Sequence, residues 1–501
     1  MTDLPAADSG ADPSDLAAAW LARLEGVNLI DGAVVPAAET LEVLEPAQMR
    51  ALGRTAASGA AEVEAAVAAA KAAGEAWAET PARDRGRAVQ AAARALMAEA
   101  EPLARLLARE TGKAIRTECR GELAVAADLL EMFGGLGSEL KGETLPFRPD
   151  TFAVTTREPL GVIAAILPWN VPLVLMMLKI APALVAGNTV VVKAAEVAPF
   201  ATLAAAEILN AHLPPGVLNV VVGTGPDCGQ PLCDHPDVAK ITFTGSEKVG
   251  ETIHAAAARR LIPVSLELGG KSPMIVCDDV DLDRAIDGAV TGMRFTRAGQ
   301  SCTAASRLYV HRSVYEPFVA GLRARLDALV IGDPLDEATD VGTIVSPAQK
   351  ATVERYLSLA DAAPEAEVIR CGALPGTGVA PDLFLQPTLI LHIDAASPVV
   401  REEIFGPVTV IQPWDDWDAV LEQANDTTYG LAASIWTRDL SRALKGTKAL
   451  NAGFVQVNAG FTIQPNLSYG GFGRSGLGKE ASLESMLEHF TRKKTVIMAM
   501  D

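Results

Sequence analysis

Aromatic side chains are scarce in this 501-residue chain, at 5% of positions, although apolar residues as a whole reach 49%. Alanine and glycine make up the difference. Such a composition excludes a disordered chain, and it implies helices and sheets that approach closely over small side chains. Positive charge is also short: 43 Lys and Arg stand against 62 Asp and Glu, a formal net charge of −19. No basic stripe interrupts the balance, which argues against a nucleic-acid partner and speaks to solubility, not to fold. The six cysteines, at positions 119, 228, 233, 277, 302 and 371, lack the paired spacing of metal sites. Cys228 and Cys233 lie nearest each other, with no histidine at ligand spacing, so no metal is expected. Five of the six read as free thiols of a reducing compartment, hence a cytoplasmic protein. The segment from Met1 to Ser14 lacks the basic and apolar regions of a signal peptide and reads as a frayed tail.

At this length a large core and more than one domain are expected. Pro159 to Leu178 carries 20 residues without a formal charge, long enough to suggest a membrane span. Pro168, Asn170 and Pro172 at its centre argue otherwise, because a lone helix in lipid would leave their backbone groups unpaired. The better parse is a buried strand (Gly161 to Leu167), a rigid loop, then an apolar helix from about Leu173. Further on, Thr189 to Lys193, Leu218 to Val222 and Ile241 to Thr244 are short runs rich in β-branched residues. Helical stretches such as Phe200 to His212 and Lys248 to Ala258 lie between or after them. That alternation predicts an α/β fold, a parallel sheet covered on both faces. Ala60 to Glu110 has the 3.6-residue period of long amphipathic helices. A second α/β pattern runs from Pro273 to about Trp436, so a cleft is expected near Glu267 to Lys271, between the halves.

Two residues in glycine-bearing segments carry the chemistry. Glu267 opens Glu-Leu-Gly-Gly-Lys-Ser-Pro, and Cys302, 35 positions on, closes Gly-Gln-Ser-Cys. A cysteine supplies a nucleophile that ionises not far above neutral pH, and a carboxylate can activate water to finish a covalent cycle. Upstream, Pro168-Trp169-Asn170-Val171-Pro172 offers an amide donor of the kind that stabilises an oxyanion. The one literal G-x-G-x-x-G, Gly471 to Gly476, has no preceding strand or crossover and reads as a loop, not a dinucleotide fingerprint. Lys193 and Glu196 come at the end of a strand, where a cation and a carboxylate can hydrogen-bond two ribose hydroxyls or form a solvated surface pair. Phe243-Thr244-Gly245-Ser246 is a small-residue turn opening a helix, suited to a pyrophosphate.

In this combination and order the segments resemble the aldehyde dehydrogenase superfamily, from roughly Ala60 to Val496. The resemblance implies a Rossmann-like NAD-binding domain (1–142 and 159–268), an α/β catalytic domain (269–482) and a small β extension for oligomerisation (143–158 and 483–501). It implies a homodimer or homotetramer in which strands Thr151 to Thr156 and Lys493 to Met498 serve assembly. Cys302 would attack the aldehyde carbon, with Asn170 and the Cys302 N–H as oxyanion hole. Glu267 would then direct water at the thioester, so the product would be the free acid. A coenzyme A-acylating enzyme generally lacks a base there. Lys179 matches a family lysine near this relay, with a structural role as the other reading. If Gly299 to Ser301 opens a helix, its dipole would draw the thiol below its usual value of about 8.5.

For the cofactor, the resemblance assigns Leu167, Pro168, Trp169, Lys193, Glu196, Gly245, Ser246, Glu403 and Phe405. Glu403 and Phe405 rest on the match of Glu-Glu-Ile-Phe-Gly-Pro (402–407) alone. Glu196 would repel a 2′-phosphate, which favours NAD over NADP. The C-terminal loop departs from the family pattern: Gly473 replaces the usual lysine, and Ser468-Tyr469 the usual Pro-Phe, while Glu480 keeps the final acid. Substrate-pocket positions fall on Val171, Leu175, Leu178, Ser301, Thr303, Thr462, Ile463 and Tyr469. Their mainly aliphatic character favours a medium-sized apolar or aromatic aldehyde over betaine aldehyde, which would want an aromatic cage. Arg294 and Arg297 would suit a carboxylate-bearing semialdehyde, or else pair with structural acids. A catalytically silent protein that keeps the fold is the reading from another class.

Overall fold

The computed structural model of the chain describes residues 12–460 and 464–500. Among these, the expected alternation builds two large sheets. The first has eight strands in the order Gly476–Leu477, Val264–Glu267, Val238–Thr244, Val162–Ile166, Thr189–Ala194, Leu218–Val222, Val27–Ile30 and Ala33–Pro36. Its five central strands run parallel, and antiparallel strands close both edges. Strands covered on both faces by crossover helices need no polar alternation. Accordingly, Val162–Ile166, Thr189–Ala194 and Leu218–Val222 are buried at every position. Helices Pro172–Ala186 and Phe200–Asn210 pack on one face over Ile163, Ala165, Val190 and Val192. Ala60–Glu79 and Glu247–Arg260 cover the other over Ala164, Val191 and Phe243.

The first of these faces changes character toward one edge. Residues directly paired across strands share a face. Ile163 pairs with Lys240 and Ala165 with Thr242, while Thr242 and Thr244 pair with Ser265 and Glu267. A file of buried polar groups therefore lines the same face as the valines, and Glu267 stands at its end.

The second sheet has seven strands, in the order Glu367–Arg370, Thr388–Leu391, Val408–Trp414, Arg307–His311, Pro273–Val276, Ala432–Trp436 and Phe454–Val457. All neighbours are parallel except the first pair. Outside both sheets, Thr151–Pro159 pairs antiparallel with Thr491–Ala499 and, on its other side, with Thr144–Arg148.

Two local expectations need adjusting. The N-terminal tail does not extend to Ser14: helix Pro13–Leu24 begins just after Asp12, whose carboxylate accepts from the Ser14 N–H at 2.7 Å. Aspartate at that position satisfies one of the free N–H groups of a helix start, and proline follows it at no cost. The uncharged segment divides as expected into a strand, a loop and helix Pro172–Ala186. Among the described residues no helix is long and apolar enough to cross a membrane.

Candidate active site

The loop between Val162–Ile166 and Pro172–Ala186 holds Asn170. Helix Pro172–Ala186 starts without a side-chain cap from Val171. Its Leu173 N–H instead donates to Glu122 Oε1 at 2.9 Å, and Glu122 is paired with Lys113. Lys113 Nζ reaches back to the Asn170 carbonyl at 2.8 Å. One buried ion pair thus fixes both ends of the turn. So clamped, Asn170 donates through Nδ2 to the Gln300 carbonyl at 3.2 Å, two residues before Cys302. Nothing in the types of Lys113 or Glu122 marks them in the sequence, and both went unforeseen.

The segment expected to carry the nucleophile is not a helix start. Arg294 and Ala298 bracket a short 3-10 turn with φ of 58° and 50°, Gly299 follows at 65°, and Cys302 sits in a turn. Glycine is required at 299: a Cβ there would lie 2.0 Å from the Gly406 carbonyl oxygen. Gln300 is locked by Nε2 to the Thr343 carbonyl (3.2 Å) and by Oε1 from the Val345 N–H (3.0 Å). The expected helix dipole is therefore absent, because the close approach of the 402–407 loop shapes this turn. Cys302 keeps some exposure, whereas Cys119, Cys228, Cys233, Cys277 and Cys371 are buried. Even so, burial pushes the Cys302 thiol up to about 11, opposed by the Tyr469 hydroxyl at 3.4 Å and by the charge of Arg297.

A cavity of about 250 Å³ opens on Cys302 and Asn170 and is lined by Pro168, Trp169, Gly245, Ser246, Glu403 and Phe405. Six residues from three distant segments, all expected at the cofactor, thus meet. Ser246 precedes helix Glu247–Arg260 without capping it, leaving the first N–H groups of that helix toward the cavity, where an anion is favoured. Glu403 Oε1 accepts from the Gly270 N–H at 2.9 Å, and burial raises this carboxyl to about 7. Phe405 meets Trp169 edge-on, centroids 5.4 Å apart, from a backbone φ of 56°. A bulky residue is rarely found there. Gln349, not foreseen, steadies it by donating to the Phe405 and Ile404 carbonyls at 3.0 and 3.3 Å.

A profile of the aldehyde dehydrogenase family matches residues 34–496. The chain belongs to this family. Betaine aldehyde dehydrogenase 1 of Rhizobium meliloti is 40% identical over 486 residues, covering 96% of this chain and 98% of that protein. A phenylacetaldehyde dehydrogenase of Pseudomonas fluorescens is 42% identical over 382 residues, 75% of each. Among solved structures, betaine aldehyde dehydrogenase of Staphylococcus aureus in complex with NAD+ superposes with a TM-score of 0.92 at 31% identity, covering 96% of each chain.

In this aldehyde dehydrogenase Glu267 ends its strand buried, with Oε2 lacking any hydrogen-bond partner among the described residues. Burial drives its carboxyl well above the usual range, and nearby Glu480 drives it further, against the charges of Lys179 and Lys479. Lys179 Nζ is paired with Glu480 Oε1 at 2.7 Å, and the Thr242 hydroxyl donates to the same oxygen at 3.2 Å. The lysine meets the final acid of the C-terminal loop, a partner 301 residues away that the sequence did not name.

The remaining expected residues fall around this centre. Lys193, near the C-terminal end of Thr189–Ala194, pairs with Glu196 just beyond it (2.7 Å), outside the lining of the 250 Å³ cavity. Leu167 is buried, its N–H donating to the Lys193 carbonyl at 3.1 Å. Val171 is half-buried, whereas Leu175 and Leu178 belong to the core. Ser301 and Thr303 join hydroxyls at 3.2 Å. Thr462 and Ile463 lie outside the described residues. Arg297 is bound to Glu118 at 2.6 Å, which favours the structural reading of that arginine. Gly473 lies in the left-handed region (φ 56°) that glycine favours, and the Gly471 to Gly476 run forms a turn and a two-residue strand, as a loop reading requires. Among the described residues no group of three His, Cys, Asp or Glu is placed to hold a metal ion.

Proposed function

We propose that this aldehyde dehydrogenase oxidises a medium-sized apolar or aromatic aldehyde to the free acid with NAD, through a cysteine thioester. The observation that carries it is the pairing of Cys302 with a buried, under-satisfied carboxylate, Glu267. Cys302 Sγ attacks the aldehyde carbon, and the carbonyl electron pair moves to oxygen, where Asn170 Nδ2 and the Cys302 N–H receive the charge. A nicotinamide held beside Cys302 by Trp169, Glu403 and Phe405 would supply the hydride acceptor that leaves a thioester on the cysteine. Glu267 then removes a proton from water as its oxygen adds to the thioester, and the Cys302 thiolate departs. The cavity wall formed by Trp169, Glu403 and Phe405 supports a nicotinamide ribose and ring beside Cys302. The carboxylate of Glu196 supports NAD over NADP, since it would repel a 2′-phosphate.

On the substrate, the relatives point two ways, to betaine aldehyde and to phenylacetaldehyde. The expected pocket positions Val171, Leu175, Leu178 and Ile463 are aliphatic and offer no aromatic cage to a quaternary ammonium, which favours the neutral class. The ion pair of Arg297 with Glu118 weakens the semialdehyde reading in turn. We place the enzyme in the cytoplasm, in keeping with its unpaired cysteines, as a homodimer or homotetramer assembled through the three-stranded sheet. Phe147, Phe152 and Ile497 lie exposed on that sheet.

The test is reduced-cofactor absorbance with a panel of aliphatic, aromatic, ω-carboxylate and quaternary-ammonium aldehydes. NAD and NADP are compared, with and without coenzyme A, and Cys302→Ala is the control. Turnover of aromatic aldehydes with NAD, without coenzyme A and absent in the variant, is expected. A coenzyme A requirement would overturn the free-acid product. Silence without cofactor binding would leave a structural protein.

A further inference from the structure

A thiol that burial pushes toward 11 needs something to keep it reactive near neutral pH, and no helix begins at Cys302 to supply it. The charged groups around it do not suffice. Glu267 and Glu403 both oppose ionisation. Arg297 favours it but is engaged by Glu118. Arg294 adds its charge from the same turn. The side-chain group in hydrogen-bonding contact with Sγ is the phenol of Tyr469, at 3.4 Å.

That phenol is held in place. Tyr469 is 3% exposed, and its backbone is bridged to Glu480 by two hydrogen bonds, of 3.0 and 2.7 Å. The Phe454 ring lies against its ring at 5.7 Å between centroids. A buried tyrosine hydroxyl requires a partner, and here the partner is the reacting atom. The direction of the bond is fixed once the sulfur is ionised. Burial, with Cys302, Glu267 and Glu480 nearby, pushes the ionisation of this phenol well above its usual value, so its proton stays on oxygen. A thiolate has only lone pairs to offer, so the O–H donates and the bond strengthens as sulfur becomes charged. At this position the family pattern has phenylalanine, which has no hydroxyl to give.

We propose that Tyr469 is a further catalytic residue, whose hydroxyl donates to the Cys302 thiolate and so takes over the task of an absent helix N-terminus. The thiol proton leaves to solvent and the phenol keeps its own. When Sγ attacks carbon, the sulfur charge is spent in the new C–S bond and the hydrogen bond weakens. When the thioester breaks, the C–S electron pair returns to Sγ and the same hydroxyl receives it. One group thus serves the nucleophile on entry and the leaving group on exit. The inference rests on Cys302 as nucleophile but needs neither the substrate nor the cofactor of the proposed function.

The experiment is the pH profile of Cys302 alkylation by iodoacetamide in the full-length protein without aldehyde or cofactor, located by peptide mass. Wild type is compared with Tyr469→Phe. A hydrogen bond to a charged acceptor predicts alkylation about tenfold slower near neutral pH in the variant. The midpoint should lie about one pH unit higher, with equal limiting rates in alkali. Superimposed profiles would overturn the proposal, as would a lower midpoint in Tyr469→Phe, which would mean that the hydroxyl holds the protonated thiol. If that variant does not fold, protein made with 3-fluorotyrosine replaces it, since a more acidic phenol is a stronger donor. Thiolate absorbance, taken as the difference from Cys302→Ala in each protein, should then show a lower midpoint, and an unmoved one would refute it.

Discussion

Two buried glutamates oppose the ionisation of the same cysteine, and they are built differently. Glu403 lines the cavity, and the Gly270 N–H fixes one of its oxygens. Its loop is stiffened by Gln349 and by the contact between Phe405 and Trp169. Glu267 ends a strand, keeps Oε2 without a partner among the described residues, and stands among Glu480, Lys179 and Lys479. Buried polar atoms are nearly always satisfied, so the free oxygen of Glu267 leaves a side open to a water. A carboxylate tied to backbone holds a ligand still. One left partly free, with its ionisation displaced by burial, is suited to move a proton. On the proposed function, the difference separates a binding acid, Glu403, from a reacting one, Glu267.

The largest effect that would test this contrast is on Glu267→Gln. Acid release should slow by about 100- to 10,000-fold, the usual contribution of a general base. One equivalent of reduced cofactor should still form in rapid mixing. Loss of that first turnover as well would place Glu267 before the thioester and blur the contrast. Glu403→Gln should do the reverse at smaller scale. Cofactor affinity, read by titration calorimetry, is expected to fall about tenfold, as when a charged hydrogen bond becomes neutral. Acid release from the acyl-enzyme should keep its pH midpoint.

The smallest effect is a displacement along the pH axis. As the proposed base Glu267 would act only when ionised, and burial raises its carboxyl above the ordinary 4.5. Acid release therefore falls as pH drops through that raised value. Lys179 opposes the rise, so Lys179→Met should move the midpoint to higher pH in quenched-flow measurements. An unmoved midpoint would confine Lys179 to holding Glu480.

Much of this was legible in the chain. The β-branched runs and the helices between them disclosed the covered parallel sheet, because strand identity rests on local side-chain pattern. Asn170, Glu267 and Cys302 stood out because chemistry-bearing types sat among glycine and proline. The turn at Cys302 was misread as a possible helix start, since its left-handed Gly299 packs against a loop more than 100 positions away. Glu402 to Pro407 carried no signal of its own and was found by resemblance. The Lys113–Glu122 clamp was missed, because charged side chains ordinarily face water.

The sequence by itself determined which segments become strands and helices, which side chains hold the reactive atoms, and the order in which they occur. Tertiary structure alone decided how those atoms behave. The state of Cys302 depends on Tyr469, 167 residues on, that of Glu267 on Glu480, and Lys179 finds its partner 301 residues away. Ionisation and hydrogen bonding follow burial and neighbours within a few ångströms, and only folding brings such neighbours together.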